Sequence, residues 1–300
     1  MDYLNFYSLL RDENFEKCRA LPTKKLLGKK NTIYNFLFIV DDKILTKKNN
    51  PFFFNSKKLS KNFNSFSLSF ISSLRNNIYI LCYSNIGDLK KIDFLKNCDF
   101  LSIREALFNL QGNIASIVSA GYSLYKWQRN NKFCGNCGSK NKFDENGFTL
   151  ICTNMNCKKK VFPIVYPTVI VNIINKDKIL LARNITWKKN LYSCLAGFCE
   201  QNESAEETVR REVYEEVGLK IEKIKYKYSQ YWPYTSNLML GYEARVISKK
   251  SKLRINKKEI EKARWFSSKE IISLSKQKKI ILPTKEAIAY SLITDWVKKN

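Results

Sequence analysis

The chain has 300 residues, of which 44% are apolar and 13% aromatic, and this predicts a globular protein of about two domains and excludes a disordered tail. Histidine is absent, which excludes Ser-His-Asp and Cys-His catalysis and every histidine metal site. With 53 Lys and Arg against 27 Asp and Glu, the net charge of +26 either attracts polyanions such as RNA or reflects the Lys-, Asn- and Ile-rich composition of an AT-rich genome.

The sequence shows no signal for secretion or membrane insertion. Its first residues, MDYLNFYSLLRDENFEK, lack the apolar centre of a signal peptide, and no run approaches the roughly 20 apolar residues that span a bilayer. Nine cysteines, four clustered and five scattered, are too sparse for a secreted disulfide scaffold. We therefore expect a cytoplasmic protein without a membrane partner.

Residues 1–127 are predicted to form an α+β domain for packing or dimerisation, because short apolar runs alternate with Lys- and Asn-rich stretches. The apolar spacing predicts a hairpin at 36–40 and 44–45, a strand at 77–84, helices at 102–110 and 114–127, and an exposed loop at 46–66. The hairpin FLFIVDDKIL resembles VNIINKDKILLAR in the last third of the chain. The sequence therefore leaves open the alternative that residues 1–127 are a degenerate second copy of the fold formed by the last third of the chain.

Residues 128–162 form a short module organised by two cysteine pairs, Cys134 with Cys137 and Cys152 with Cys157. Tetrahedral zinc takes four thiolates, and a Cys-x-x-Cys turn presents two of them from one tight loop. A redox role for the first pair is the alternative, but it leaves the second pair unexplained. We predict that all four cysteines bind a structural Zn²⁺ and that the module braces the neighbouring domains.

Residues 163–300 are predicted to form an α/β domain. Strands are expected at 168–174, 179–182 and 238–247, and helices at 204–217 and 284–297. Seven acids fall between residues 200 and 216, a concentration that is unusual in so basic a chain.

The second half of the 204–217 helix carries three of these acids on one side. Ser204 and Glu207 form the capping-box pattern that begins a helix. At about 100° per residue, Glu212, Glu215 and Glu216 then fall within one narrow arc. Their repulsion is relieved by a hard divalent cation such as Mg²⁺ or Mn²⁺, which takes oxygen ligands. A solvated acidic face is the alternative.

Residues 197–219 match the motif G-x5-E-x7-R-E-U-x-E-E-x-G-U, where U is aliphatic, at every fixed position. The sequence therefore resembles the Nudix hydrolases, which cleave nucleoside diphosphates linked to another moiety. The resemblance implies an α/β/α sandwich in which Glu212 and Glu216 hold the metal, Glu215 lies nearby, and Arg211 orients the carboxylates. Metal-assisted hydrolysis of a pyrophosphate follows, with Glu216 as the residue whose loss has the largest effect.

A second motif narrows the resemblance. The stretch SQYWPYTSNLM at 229–239 is similar to the SQPWPFPxSLM signature of the NADH pyrophosphatases, which carry a four-cysteine zinc ribbon ahead of the acidic motif. Tyr231 and Thr235 stand where the signature has proline, Tyr234 replaces Phe, and Asn237 replaces Ser. The resemblance implies a homodimer that splits NAD(H) into nicotinamide mononucleotide and AMP.

The same resemblance implies further site residues. Glu259 and the carbonyl of Ala196 are expected on the metal. Phe162 and Phe198 match an aromatic pair that holds the nicotinamide across a dimer interface, with ordinary core packing as the alternative. Substrate contacts are also implied for Gln230, Tyr231, Trp232, Pro233, Tyr234, Thr235, Ser236, Asn237, Ala289 and Arg104.

Three functions remain open on the sequence. The first is an NADH or NAD⁺ pyrophosphatase, which in one variant removes NAD caps from RNA 5′ ends with help from the basic charge. The second keeps the fold but favours ADP-ribose or another nucleoside diphosphate, because the signature is altered. The third is a non-catalytic ligand sensor or nucleic-acid-binding zinc protein, which the complete set of acids in the motif disfavours.

Overall fold

The computed structural model describes residues 12–27, 32–47, 50–51, 53–54, 66–84, 98–108, 110, 112–144, 147–248 and 252–300. Contacts divide the chain into two compact units. Of the described residues, 12–164 and Pro233–Ser236 belong to the N-terminal unit, and Val165–Trp232 and Asn237–Asn300 to the C-terminal unit. All nine cysteines are described and free of disulfides. Within the described ranges no helix is long and apolar enough to cross a membrane.

The N-terminal unit begins with a mixed sheet flanked by helices. In chain order its elements are α1 (Phe15–Arg19), α2 (Thr23–Leu26), β1 (Ile33–Val40), β2 (Lys43–Lys47), β3 (Asn50–Pro51), β4 (Phe53–Phe54), β5 (Ser67–Leu74), β6 (Asn77–Ser84), β7 (Asp99–Ser102), α3 (Ile103–Phe108) and α4 (Gly112–Asn130). The strand order is β3-β2-β1-β6-β5, with β4 paired to β1 and β7 paired to β2. The predicted hairpin, the 77–84 strand and both helices are confirmed.

The exposed loop predicted at 46–66 is wrong where the structure describes it. Residues 46–47 end β2, and the pairs at 50–51 and 53–54 form β3 and β4. The Phe53 ring packs against Tyr79 with their centroids 5.5 Å apart, so this aromatic residue finds its cover within the sheet. Residues 48–49, 52 and 55–65 lie outside the described ranges.

The cysteine module forms a three-stranded antiparallel sheet of its own. Its strands are β8 (Asn141–Phe143), β9 (Leu150–Cys152) and β10 (Lys160–Val161), in the order β10-β9-β8.

The C-terminal unit is a six-stranded sheet between helices. Its elements are β11 (Tyr166–Asn175), β12 (Lys178–Asn184), β13 (Leu195–Phe198), α5 (Ala205–Val217), β14 (Ile221–Trp232), β15 (Asn237–Val246), β16 (Ile260–Ser267), α6 (Ser268–Lys276) and α7 (Ile288–Lys299). The strand order is β14-β15-β11-β12-β16, with β13 paired to β11. The three predicted strands are confirmed, and so is the first helix, for which Ser204 serves as the N-cap.

Strand β11 is buried on both faces, as the central strand of a sandwich must be. Because side chains alternate along a strand, Val169, Val171 and Ile173 pack on the α5 side. Ile170 and Ile174 pack on the opposite side, in a core shared with α6 and α7. The predicted α/β/α sandwich is therefore confirmed.

The C-terminal helix begins later than the sequence predicts. Residues 284–287 form a turn in which the N–H of Ala287 donates to the carbonyl of Thr284 at 3.0 Å. Ala287 is extended, and the helix starts at Ile288. In a helix that began at 284 the N–H of Ile288 would donate to the carbonyl of Thr284, but it donates instead to the side-chain oxygen of Gln230 at 2.8 Å.

Apart from the short strand β3, the two mixed sheets have the same connectivity. The strands occur in the same order along the chain when β5-β6-β1-β2-β7 is aligned with β14-β15-β11-β12-β16. Each sheet has one parallel pair, β1 with β6 and β11 with β15, and a short strand pairs with the central strand, β4 with β1 and β13 with β11. The sequence similarity between the two hairpins is thus accompanied by a similar topology of the two whole sheets. The acidic motif is not repeated, because residues 55–66 contain no Asp or Glu.

Candidate active site

Helix α5 is fixed at both ends and along one side. Ser204 and Glu207 form the predicted capping box, and Gly218 ends the helix in the left-handed region with φ 70°. Val209, Val213 and Val217 are fully buried against the sheet. This anchoring sets the direction in which the acids of the helix point.

Arg211 gathers three carboxylates with one guanidinium group. It donates to Glu203 through Nε at 2.7 Å and Nη2 at 2.9 Å, and its Nη1 donates to Glu212 at 2.9 Å and Glu215 at 3.0 Å. Nη2 also reaches the carbonyl of Phe198 at 2.9 Å, which ties the helix to β13. The bidentate pair lowers the pKa of Glu203 to about 2.

Glu203 was not assigned a role in the sequence analysis, although it occupies the first fixed glutamate of the motif. In the structure this residue locks Arg211, which then orients Glu212 and Glu215. The fixed position in the motif was the signal that could have identified it.

Glu216 carries the most perturbed carboxyl of the helix. Glu216 is only 6% exposed, and its Oε2 atom is buried without a hydrogen-bond partner among the described residues. Burial, followed by the charges of Glu212, Glu259 and Glu215, raises the pKa of Glu216 to about 8. A buried carboxylate oxygen without a donor, beside further carboxylates, fits a divalent cation that takes oxygen ligands.

Asn256 links the helix to the turn that carries Glu259. Its N–H donates to the carbonyl of Glu216 at 2.8 Å, and its Nδ2 donates to Oε1 of Glu259 at 3.3 Å. Glu259 thereby lies close enough to contribute to the raised pKa of Glu216. Sequence reasoning did not find Asn256, since its part depends on a contact between segments about 40 residues apart.

Strand β13 brings backbone against the acids. Ala196 is exposed on this strand, opposite Ile170. At Gly197 a Cβ would overlap the carboxylate of Glu212, so the motif requires glycine here for close approach.

We expect Gly197→Ala to weaken Mn²⁺ affinity about 10- to 100-fold, because the added methyl group must displace the Glu212 carboxylate. Calorimetric titration of Mn²⁺ measures this effect. Gly135→Ala is the matched control, since a Cβ there meets nothing within 4 Å. Equal Mn²⁺ affinity in wild type and Gly197→Ala would exclude Glu212 as a ligand.

The raised pKa of Glu216 also predicts a pH dependence of stability. Between its ordinary value of 4.5 and about 8, the folded state holds a proton that the unfolded state has released, so the free energy of unfolding falls as pH rises. Without Mg²⁺ or Mn²⁺ but with zinc retained, we expect Tm to fall by roughly 5 °C between pH 5 and pH 8. Glu216→Gln should flatten this slope, and an unchanged slope in the variant would contradict the assignment.

The four cysteine sulfurs of the module converge. All four lie within 4.8 Å of one another, with Cys137 Sγ 3.4 Å from Cys152 Sγ and Cys134 Sγ 3.8 Å from Cys157 Sγ. The backbone N–H of Ser139 lowers the pKa of Cys137 to about 6, which favours the thiolate form that binds zinc. Among the described residues no carboxylates form so close a group.

The 229–239 signature forms a β-hairpin. Gln230, Tyr231 and Trp232 end β14, residues 233–236 turn, and Asn237 pairs with Trp232 at the start of β15. Pro233 is buried, Tyr234 is half-buried, Thr235 is exposed, and Ser236 takes a left-handed conformation with φ 58°. Within the N-terminal unit, the Arg104 guanidinium carbon lies 5.0 Å from the centroid of the Tyr234 ring.

Three predicted substrate residues are committed to internal contacts. Gln230 is buried, and its amide donates to the carbonyl of Glu286 at 2.7 Å and accepts from the N–H of Ile288 at 2.8 Å. It thereby holds the start of α7, where Ala289 is also buried. Asn237 donates to Oγ1 of Thr168 at 2.7 Å.

The two aromatic residues predicted to hold the nicotinamide are both on the surface. Phe162 is 60% exposed and Phe198 is 55% exposed. Core packing, the alternative interpretation, is therefore excluded for both rings.

Comparison with known proteins identifies two parts of the chain. The fold and the acidic helix define a Nudix domain, and residues 166–288 match the family described as the NUDIX domain. Residues 129–162 match the NADH pyrophosphatase zinc ribbon domain. The chain therefore contains a Nudix domain directly preceded by the zinc ribbon domain of the NADH pyrophosphatases.

Three curated relatives are similar to the chain over 175 to 217 residues. NAD(P)H pyrophosphatase NUDT13, mitochondrial, of Homo sapiens is 37% identical over 213 residues, which are 67% of this chain and 60% of that protein. NAD-capped RNA hydrolase NUDT12 of Homo sapiens is 36% identical over 217 residues, 68% of this chain and 46% of that protein. NAD-capped RNA hydrolase NudC of Pseudomonas aeruginosa is 37% identical over 175 residues, 58% of this chain and 62% of that protein. The matched region spans less than two thirds of each relative.

Proposed function

We propose that the protein hydrolyses the pyrophosphate bond of NADH or NAD⁺ to nicotinamide mononucleotide and AMP, with Mg²⁺ or Mn²⁺ as the catalytic ion. The observation that carries the proposal is the buried, donorless oxygen of Glu216 beside the carboxylates that Arg211 orders. One relative is named as an NAD(P)H pyrophosphatase and two are named as NAD-capped RNA hydrolases. These names support a substrate that contains NAD(H).

Glu212, Glu216, Glu259 and the carbonyl of Ala196 are proposed to hold the catalytic ion. When bound, such an ion neutralises the diphosphate and makes a coordinated water a better nucleophile. Arg211 keeps Glu212 and Glu215 in place through charge-assisted hydrogen bonds. The side chain of Glu215 is 55% exposed, and it can accept the proton of the attacking water.

The substrate side of the site is proposed from exposure and packing. Phe162 and Phe198 present aromatic surface that can stack on the nicotinamide ring. Gln230 acts as a positioning residue, because its buried amide fixes the backbone that leads into Ala289. Arg104, whose guanidinium lies over the Tyr234 ring, is proposed to contact a substrate phosphate.

Substrate selectivity tests the proposal. We expect kcat/KM for NADH to exceed that for ADP-ribose by at least about tenfold, since ADP-ribose lacks the nicotinamide ring that the exposed aromatics would hold. NAD-capped RNA should also be cleaved, because the net charge of +26 favours a polyanionic substrate. A preference for ADP-ribose would instead mean that the altered 229–239 hairpin selects a different nucleoside diphosphate as substrate. Homodimer formation and a cytoplasmic location stay predictions.

A further inference from the structure

One face of the zinc ribbon carries a single sign of charge. In the three-stranded sheet, Lys142 on β8 and Lys160 on β10 both stand opposite Ile151 on β9. Residues opposite each other on adjacent strands share a face, so these three side chains form a row. Lys140 lies two residues before Lys142 on the same face, and Phe133 is bridged to Lys140. We call these five residues the ribbon face.

The zinc ligands do not need this face. Cys152 follows Ile151 in β9 and therefore points to the opposite side of the sheet, where its sulfur joins those of the other three cysteines. Lys140, Lys142 and Lys160 are exposed, and none has an ion-pair partner among the described residues. The structural metal thus fixes the sheet and leaves the ribbon face available.

Among the described residues of the ribbon, no acid forms an ion pair with the lysines of the ribbon face. The described part of the ribbon contains one acid, Asp144. Its Oδ1 accepts the N–H groups of Gly147 at 2.8 Å and Thr149 at 3.2 Å, so it serves the turn between β8 and β9. Such a surface attracts an extended anion.

Phe133 adds an exposed aromatic ring to the lysines of the ribbon face. Phe133 is 61% exposed, so its ring is accessible to a base. Lysines that bind phosphates beside an aromatic ring on which a base stacks are the components of a single-strand nucleic-acid surface. Duplex bases are already stacked and do not offer a ring to Phe133.

We propose that the ribbon face binds single-stranded RNA, with Lys140, Lys142 and Lys160 on phosphates and Phe133 stacked on a base. The inference rests on the proposed function in that it supplies affinity for the RNA body of capped substrates, which free NADH lacks. It adds a second role to the module, which the sequence predicts to brace the neighbouring domains.

The test uses the full-length zinc-loaded protein and an uncapped single-stranded RNA of about 12 nucleotides, with affinity measured over a range of salt concentrations. We expect K140Q/K142Q/K160Q to reduce the slope of log K against log salt by about 2, because each phosphate contact on a single strand contributes roughly 0.7. The control K269Q/K276Q/K279Q removes the same charge from exposed positions on and beside α6 and should leave the slope unchanged.

Stacking is tested separately. Phe133→Leu should weaken RNA binding roughly tenfold, whereas Phe133→Tyr should retain it, because only an aromatic ring stacks on a base. Equal loss in both lysine triples, equal binding of duplex RNA, or normal binding by Phe133→Leu would overturn the proposal and leave a general attraction of polyanions.

Hydrolysis separates this inference from the proposed function. Ribbon variants should cleave free NADH at the wild-type rate and raise KM for NAD-capped RNA. If wild type fails to cleave NADH, the proposed function is wrong and the RNA titration still decides the ribbon face. If wild type cleaves NADH and the ribbon variants bind RNA normally, the ribbon proposal alone is wrong.

Discussion

Glu216→Gln is expected to lower kcat for NADH hydrolysis on the order of 10³-fold, because the substitution removes the most buried carboxylate offered to the catalytic ion. The Glu216→Gln variant should still fold. The buried carboxyl has a pKa of about 8 and is already largely neutral at pH 7 without the ion, and glutamine resembles that neutral form. Steady-state kinetics at saturating Mn²⁺, with Tm measured beside it, checks both statements.

Glu206→Gln provides the matched control for this substitution. It makes the same chemical change on the same helix, at an exposed position where the hydroxyl of Tyr242 donates to the carboxylate at 3.4 Å. Its kcat should remain within about twofold of wild type. An active Glu216→Gln enzyme, or equal losses in the two variants, would remove Glu216 from the catalytic site.

Cys152→Ser is expected to abolish zinc binding and unfold the ribbon. Cys152 is a buried member of the four-sulfur group, and structural zinc contributes roughly 10–16 kcal/mol of apparent binding free energy in zinc-finger peptides. Zinc content should fall from one ion per chain to almost none. Elemental analysis measures the loss, and protection of β8–β10 amides from hydrogen exchange measures the unfolding.

Cys199→Ser separates this effect from a general sensitivity of cysteines. Cys199 is half-buried and lies outside the ribbon, in the C-terminal unit. Its replacement should leave the zinc content and the exchange protection of the ribbon unchanged. Full zinc occupancy in Cys152→Ser would mean that the four sulfurs do not form the site.

The parts of the fold that the sequence predicts best are those with strong local signals. Helix α5 has a capping box and a stripe of buried valines, and the ribbon has its cysteine spacing. Strand β5 was not predicted, because Ser69, Ser72 and Ser73 interrupt its apolar pattern although all three are buried. Exposed lysines interrupt the pattern of β14 in the same way.

Some missed features had a readable signal and others had none. Helix α6 begins with a capping box of Ser267 and Glu270, a pattern that is visible in the sequence and predicts the start of a helix. The role of Gln230, by contrast, depends on Glu286 and Ile288, more than 50 residues away. Only the folded sandwich brings that amide to the start of α7, so local pattern could indicate the residue but not its contact.

The most direct test of a Nudix pyrophosphatase in this chain is the identity of the products formed from NADH, with and without Mn²⁺, resolved by ion-exchange chromatography. We predict equal amounts of reduced nicotinamide mononucleotide and AMP, formed only when the ion is present. Reduced nicotinamide together with ADP-ribose would show cleavage of the glycosidic bond instead. That result would contradict the assignment of the acidic helix to pyrophosphate hydrolysis, and intact NADH at saturating Mn²⁺ would contradict NADH as the substrate.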